Sequence, residues 1–331
     1  MDDNSTKSDG TTAREAALLD VTVSRRSRET ADIALVELVA AGSGKLPSFT
    51  AGSHVDFHLP NGVMRQYSIC SDPADTGIYR FGVLLTSRSR GGSRAVHALK
   101  VGESIKIGVP RNQFALDEGA RKTILVGGGI GITPLLSMAY RLHALGASFE
   151  LIYCARDRLK AAFQKRLSNS AFSQNIRWRF DKVDGRTGFN PSELPSPDGA
   201  THLYVCGPSA FTNYVVQSAI QAGWSKSNVH TENFQPYAPN KDDREFTVVA
   251  QRGGKAVTVR SGQTIAQALK EAGIAVTVSC EQGICGTCLV PVLEGVPEHR
   301  DRYQSDLELS SNRFVALCCS RSKNDTLVLD I

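Results

Sequence analysis

Cys280-Glu281-Gln282-Gly283-Ile284-Cys285-Gly286-Thr287-Cys288, with Cys318 and Cys319 downstream, is the stretch on which the reading of this chain turns. Three thiols fall at C-x4-C-x2-C spacing and a further one follows at a distance, the plant-type pattern for a pair of bridged irons. Three ligands from one tight loop need small residues between them, here Gly283, Gly286 and Thr287, so that backbone amides can turn towards the sulfurs. A zinc ribbon would want paired C-x2-C arms, and the sequence offers one. Adjacent residues of an extended segment point to opposite faces, so one of Cys318 and Cys319 reaches the loop, and spacing leaves open which.

Around the loop, residues 245–250 and 256–259 read as a hairpin turning at Gly253-Gly254. A short helix follows, with Thr264 as its cap, Ile265, Ala268, Leu269 and Ala272 as its apolar stripe and Gly273 as its stop. Five of the eight cysteines lie from Cys280 onward. A disulfide framework suits a small secreted domain, whereas clustered cysteines in a long cytosolic chain suit a metal or cluster site. The amino terminus lacks the basic, apolar and small-residue order of a secretory signal, so residues 1–16 read as a disordered tail of a cytoplasmic protein. No segment reaches the roughly 20 apolar residues of a membrane helix. A charge of +5 spread over 331 residues gives no basic block, so neither nucleic acid nor membrane is expected as a partner.

At 331 residues the chain exceeds one ordinary domain. Residues 17–118 carry short alternating runs (18–23, 33–38, 53–59, 65–69 and 79–85) separated by turn residues, which predicts an antiparallel β-barrel of about six strands. From residue 119 to 234 strand and helix patterns alternate, which predicts a doubly wound, parallel α/β domain. Residues 235–244 break all periodicity and read as a linker, leaving 245–331 as a third, α+β domain.

Two motifs sit in the first two domains. Gly127-Gly128-Gly129-Ile130-Gly131-Ile132-Thr133-Pro134 lies between an apolar strand and a helix, where glycines let the backbone approach a pyrophosphate and the helix end favours its charge. Thr133 is the expected cap of that helix. Cys206-Gly207-Pro208 ends a later strand, at the carboxyl edge where such sheets face ligand. Arg65-Gln66-Tyr67-Ser68 places a phosphate-binding fork, an aromatic ring and a hydroxyl on one barrel strand, and Gly91-Gly92-Ser93 opens a helical run that can offer amides to a phosphate. Alone, the glycine run is compatible with a structural turn and the Arg-x-Tyr-Ser run with an ordinary strand. After the second α/β strand, Arg156 and Arg158 would attract a 2′-phosphate, while Asp157 would repel it or accept ribose hydroxyls. The histidines, including His54, His97 and His299, receive no chemical role.

Taken in order, these motifs give identity. The last 90 or so residues resemble plant-type ferredoxins of the β-grasp, α+β kind, and the resemblance favours Cys318 as the fourth ligand beside Cys280, Cys285 and Cys288. Over residues 17–331 the chain resembles the phthalate dioxygenase reductase family, which includes the vanillate demethylase reductases. The resemblance implies FMN in the barrel, NADH on the α/β domain and a 2Fe-2S cluster that passes electrons to a separate, Rieske-type terminal oxygenase. It implies that Arg65, Gln66, Tyr67 and Ser68 line the flavin and that Gly91, Gly92 and Ser93 hold its phosphate. It assigns the nucleotide to Gly127, Gly128, Gly129, Gly131, Thr133, Asp157, Cys206, Gly207 and Pro208. The run His230-Thr231-Glu232-Asn233-Phe234 resembles the family's junction, which makes Phe234 a stacking candidate and joins Glu232 to Ser68 and Cys206 as the groups nearest the chemistry. A reductase for a haem or diiron oxygenase, or a redox sensor without enzymatic turnover, are the alternatives.

Overall fold

Alternation of buried and exposed residues builds the first sheet. In the computed structural model, which describes residues 17–87, 89, 91–181, 188–234, 239–301 and 303–331, it comprises β1 (Leu18–Arg28), β2 (Ile33–Ala40), β3 (His54–His58), β4 (Met64–Ser68), β5 (Tyr79–Leu84) and β6 (Ser104–Gly108). The order is β4-β3-β6-β1-β2-β5, every pairing is antiparallel, and β4 and β5 touch across the closing seam. Val21, Val23, Val55, Phe57, Tyr79 and Phe81 fill the interior, each fully buried and each contributing about 1.5–3 kcal/mol by leaving water. A short helix, α1 (Gly92–Ala98), packs beside β5. The tail read over 1–16 lies outside the described residues.

In the middle of the chain, continuous apolar runs give a sheet buried on both faces. Its strands are β7 (Lys122–Gly128), β8 (Phe149–Ala155), β9 (Ile176–Phe180), β10 (Thr201–Cys206) and β11 (Val229–Glu232), in the order β11-β10-β7-β8-β9 and all parallel. The crossovers carry α2 (Ile132–Ala144), α3 (Gln164–Ser168) and α4 (Ser209–Gln221). Gly127, Cys206 and Glu232 end neighbouring strands at the same carboxyl edge. The expected cap of α2 is corrected: Gly131 holds the N-cap position without a side-chain bond, and Thr133 lies inside the helix with its hydroxyl donating to the Ile130 carbonyl. The cause is the 3-10 turn Gly129–Gly131, which runs directly into the helix and leaves no extended residue to cap it.

The third sheet is mixed: β12 (Phe246–Ala250), β13 (Lys255–Val259), β14 (Leu289–Glu294), β16 (Phe314–Ala316) and β18 (Thr326–Leu329) are ordered β13-β12-β18-β14-β16, with β12 and β18 parallel. The strands β15 (Pro297–Glu298) and β17 (Arg321–Ser322) pair separately. Helix α5 (Ile265–Glu271) closes the core from one side with a full Thr264/Gln267 capping box, and α6 (Asp306–Ser311) repeats the device with Ser305 and Glu308. Of the linker read over 235–244, residues 235–238 lie outside the described residues. Asp243 is gripped by both Nη atoms of Arg300 at 2.7 and 2.8 Å, and Arg244 bonds Asp325, so the segment's end is fastened to the third sheet.

Candidate functional site

One cavity of about 900 Å³ lies where the three parts meet. Its barrel wall is Arg65, Gln66, Tyr67 and Ser68 of β4, with Gly92 and Ser93 at the start of α1. Its α/β wall is Gly128, Gly129, Thr133, Gly207 and Pro208, with Glu232 at the end of β11 and Phe234 just past it. Cys280, Glu281, Gln282 and Ile284 of the cysteine loop complete it. Gly91, Gly127 and Gly131 support this wall from behind rather than lining it. Cys206 is fully buried next to Gly207, and Asp157, between the lining residues Arg156 and Lys160, accepts the Lys160 amide as cap of the next 3-10 turn.

The glycines are there for space. A Cβ on Gly131 would sit 2.2 Å from the Cys206 carbonyl oxygen, so the two loop ends meet only because that carbon is bare. On Gly92 it would lie 2.5 Å from the Arg65 side chain, which puts that side chain directly at the start of α1. A guanidinium stem at two consecutive small residues with free amides suits a phosphate. Two orphaned polar atoms add to the fit of a flat heterocycle: His54 Nε2 and Gln66 Nε2 are buried without a hydrogen-bond partner, and both residues line the cavity. Buried polar groups are rarely left unpaired, so these atoms suit a polar ligand edge.

Burial governs the electrostatics. It drives the Glu232 carboxyl up to about 8, against the opposing bond from the Ser68 hydroxyl at 3.4 Å, so Glu232 holds a proton at neutral pH. Burial, with Glu232 adding to it, pushes the Cys206 thiol well above its ordinary range. Tyr67 is raised to about 12 by burial, with Arg65 opposing. Burial and then Arg111 lower His54 to about 4, so its imidazole is neutral.

The cysteine loop meets the expectation of inward amides. Gln282 N–H donates to Cys280 Sγ at 3.3 Å, the Ile284 amide joins it, and Leu317 and Cys318 amides reach Cys288. Glu281, Gly283 and Gly286 all take left-handed φ, of 57°, 74° and 72°. A side chain at Gly286 would strike the Tyr303 ring, and one at Gly283 would strike Cys319 Sγ, each at 2.5 Å. The Cys318 thiol lies beside those of Cys280, Cys288 and Cys319, and Cys280 lies beside Cys285, whose own Sγ is 3.3 Å from Thr287 Oγ1. Cys280, Cys285, Cys288 and Cys318 are neighbours, a thiol set of the kind that holds two irons, and Cys319 stands beside Cys318 with its sulfur against Gly283 and 3.8 Å from Ser320 Oγ.

Sequence reasoning missed four residues beside the cavity: His54, Asp56, Arg111 and Ser279. Ser279 Oγ donates to Asp56 Oδ1 at 2.8 Å, and Arg111 Nη2 bonds the other Asp56 oxygen. A signal was present. His54 and Asp56 alternate on β3 with the interior Val55 and Phe57, opposite Ser68 and Gln66 on β4, a polar square on the outer face of the barrel whose burial only the other domains explain.

The chain matches, over residues 248–323, the model of the 2Fe-2S iron-sulfur cluster binding domain. It is 44% identical to the vanillate O-demethylase oxidoreductase of a Pseudomonas species over 95% of this chain and 100% of that one. The corresponding protein of Acinetobacter baylyi is 41% identical over 95% and 99%. Among solved structures, phthalate dioxygenase reductase superposes with a TM-score of 0.72 at 34% identity, covering 95% of this chain and 98% of that one. An intact type IV self-sufficient cytochrome P450 monooxygenase gives 0.76 at 35% identity, covering 95% of this chain and 41% of the other.

Proposed function

The chain belongs to the oxygenase-reductase family of vanillate O-demethylase oxidoreductase and phthalate dioxygenase reductase, and on that premise we propose how its residues move electrons from NADH to an oxygenase. A nicotinamide gives two electrons together as hydride, a 2Fe-2S cluster takes one at a time, and FMN joins the two. The protein's task is then to hold three groups in order. The observation that carries this reading is the single cavity whose walls come from β4, from the glycine loop with Gly207-Pro208, and from Cys280.

Arg65, with the amides of Gly92 and Ser93, holds the flavin phosphate, and Tyr67, Ser68 and Gln66 hold its ring. Gly128, Gly129, Thr133, Gly207 and Pro208 receive the nucleotide, with Gly127, Gly131 and Cys206 shaping the wall they stand on. Glu232 sits protonated against Ser68 on the cavity wall and would supply or take up a proton for a bound flavin. Phe234, 37% exposed at the cavity, would offer its ring to stack on the flavin. Cys280, Cys285, Cys288 and Cys318 hold the cluster. The coenzyme is NADH and the acceptor is a Rieske-type terminal oxygenase of aromatic compounds in the cytoplasm; no helix among the described residues is long and apolar enough to cross a membrane. The P450 neighbour supports a second reading, in which the acceptor is haem.

Anaerobic titration of the purified protein with NADH, and separately with NADPH, tests the whole order. Flavin bleaching followed by a reduced-cluster EPR signal, at lower concentrations of NADH than of NADPH, is the expected result. A protein that either nucleotide leaves oxidised overturns it. Turnover with a purified Rieske oxygenase against a P450 decides the acceptor.

A further inference from the structure

The contact between Asp56 and Ser279 joins two parts of the molecule that otherwise keep separate cores. Asp56 lies on β3 of the barrel; Ser279 directly precedes Cys280, and both polar side chains are buried, 8% and 2% exposed as residues. The hydroxyl donates to Asp56 Oδ1 at 2.8 Å. The other carboxyl oxygen is held by Arg111, which is itself fastened to β3 by a reciprocal pair of backbone bonds with His54, each 2.9 Å. Asp56 is therefore fixed on two sides before Ser279 reaches it. The loop that Ser279 introduces has no helix or strand from Gly273 to Cys288, so nothing in its own secondary structure sets where Cys280 stands relative to the barrel.

From this geometry we propose that Asp56 and Ser279 are a positioning pair: they set the position of Cys280 on the cavity wall, and with it the rate of the flavin-to-cluster electron step. The proposal rests on the electron order given above. Electron transfer weakens steeply with distance, and Cys280 is the cluster thiol that lines the cavity. A joint made of one charge-backed hydrogen bond is strong enough to hold register and is lost with a single hydroxyl. Arg111 and Asp56 stay paired when the hydroxyl is removed, so the barrel is left intact.

The test uses the complete, cofactor-loaded protein with Ser279→Ala and, as rescue, Ser279→Thr, which keeps the hydroxyl. Rapid mixing with NADH is expected to show flavin reduction at the wild-type rate and cluster reduction slowed about tenfold in S279A, with S279T close to wild type. Hydrogen exchange of amides 276–289 in the oxidised protein, which needs no NADH, is expected to rise in S279A and not in S279T. Wild-type cluster reduction in S279A overturns the proposal, as does unchanged exchange. If S279A fails to load its cluster, Asp56→Ala, which leaves the cysteine loop's own residues untouched, must show the same slowing, and a wild-type rate there overturns the proposal. Failure of the wild-type protein to reduce its cluster would instead sink the electron order, with the exchange result still judging the joint.

Discussion

The barrel meets the α/β domain and the iron-sulfur domain in two different ways. The first seam is a continuous hydrophobic core: Ile33, Leu35, Ala51, Cys70 and Phe114 belong to the same buried cluster as Leu125, Leu135, Tyr153 and Phe163. Gly82 of β5 is so close to Phe163 that a Cβ there would lie 2.7 Å from its ring, Glu29 accepts the Phe163 amide, and the Gly52 amide donates to buried Ser137. The iron-sulfur domain has a core of its own with no barrel residue in it, and its contacts with the barrel include the polar bond between Asp56 and Ser279. The difference follows from the chemistry. Hydride transfer needs two rings in contact and therefore one rigid body, whereas an electron crosses a gap and lets its carrier sit on a polar joint.

The largest effects should fall on the cluster alone. Cys285→Ser is expected to abolish cluster reduction and leave NADH-to-ferricyanide turnover largely intact; equal loss of both would mean that the two seams are not independent. Cys318→Ser should strip iron and sulfide while Cys319→Ser keeps them, and the reverse result would move the fourth ligand by one residue. Phe163→Ala should cost about 3–5 kcal/mol. In denaturant it should lower barrel and α/β unfolding together while the visible cluster bands persist to the wild-type midpoint.

A pH series sharpens the same contrast. Folding raises the Glu232 carboxyl from 4.5 to about 8, so its proton favours the folded form. Stability from this group is full below pH 4.5 and is lost as pH rises through about 8, and Glu232→Gln should flatten that slope in the two-domain body without touching the third domain. Smallest is Thr264→Ala, which removes one capping bond and should lower only the iron-sulfur domain by about 1 kcal/mol, read as a shift in the loss of cluster absorbance on heating.

What was legible in the sequence was local. The cysteine loop, the glycine turn after β7 and the Thr264 cap each declare themselves within a dozen residues, because spacing alone fixes their geometry. Asp56 and Ser279 are 223 positions apart, and no local pattern pairs them. The shared core was equally hidden: Leu35 reads as an ordinary strand residue, and that it packs with the α/β cluster instead of the barrel's own interior depends on how two sheets meet. Thr133 misled because a hydroxyl before Pro134 looks like a cap, while the glycines ahead of it had already begun the helical turn. Asp157 reads as a ribose ligand for its place after β8, and no local pattern announced that one of its oxygens also caps the next turn through the Lys160 amide.

The anchoring of Asp243 by Arg300 also fixes how far the iron-sulfur domain can travel. Glu232 belongs to the cavity wall and Asp243 is held by Arg300 of the third domain, so the covalent chain between them can span at most ~40 Å. A domain released from its polar joint stays within that radius, and its return is an intramolecular event at high effective concentration.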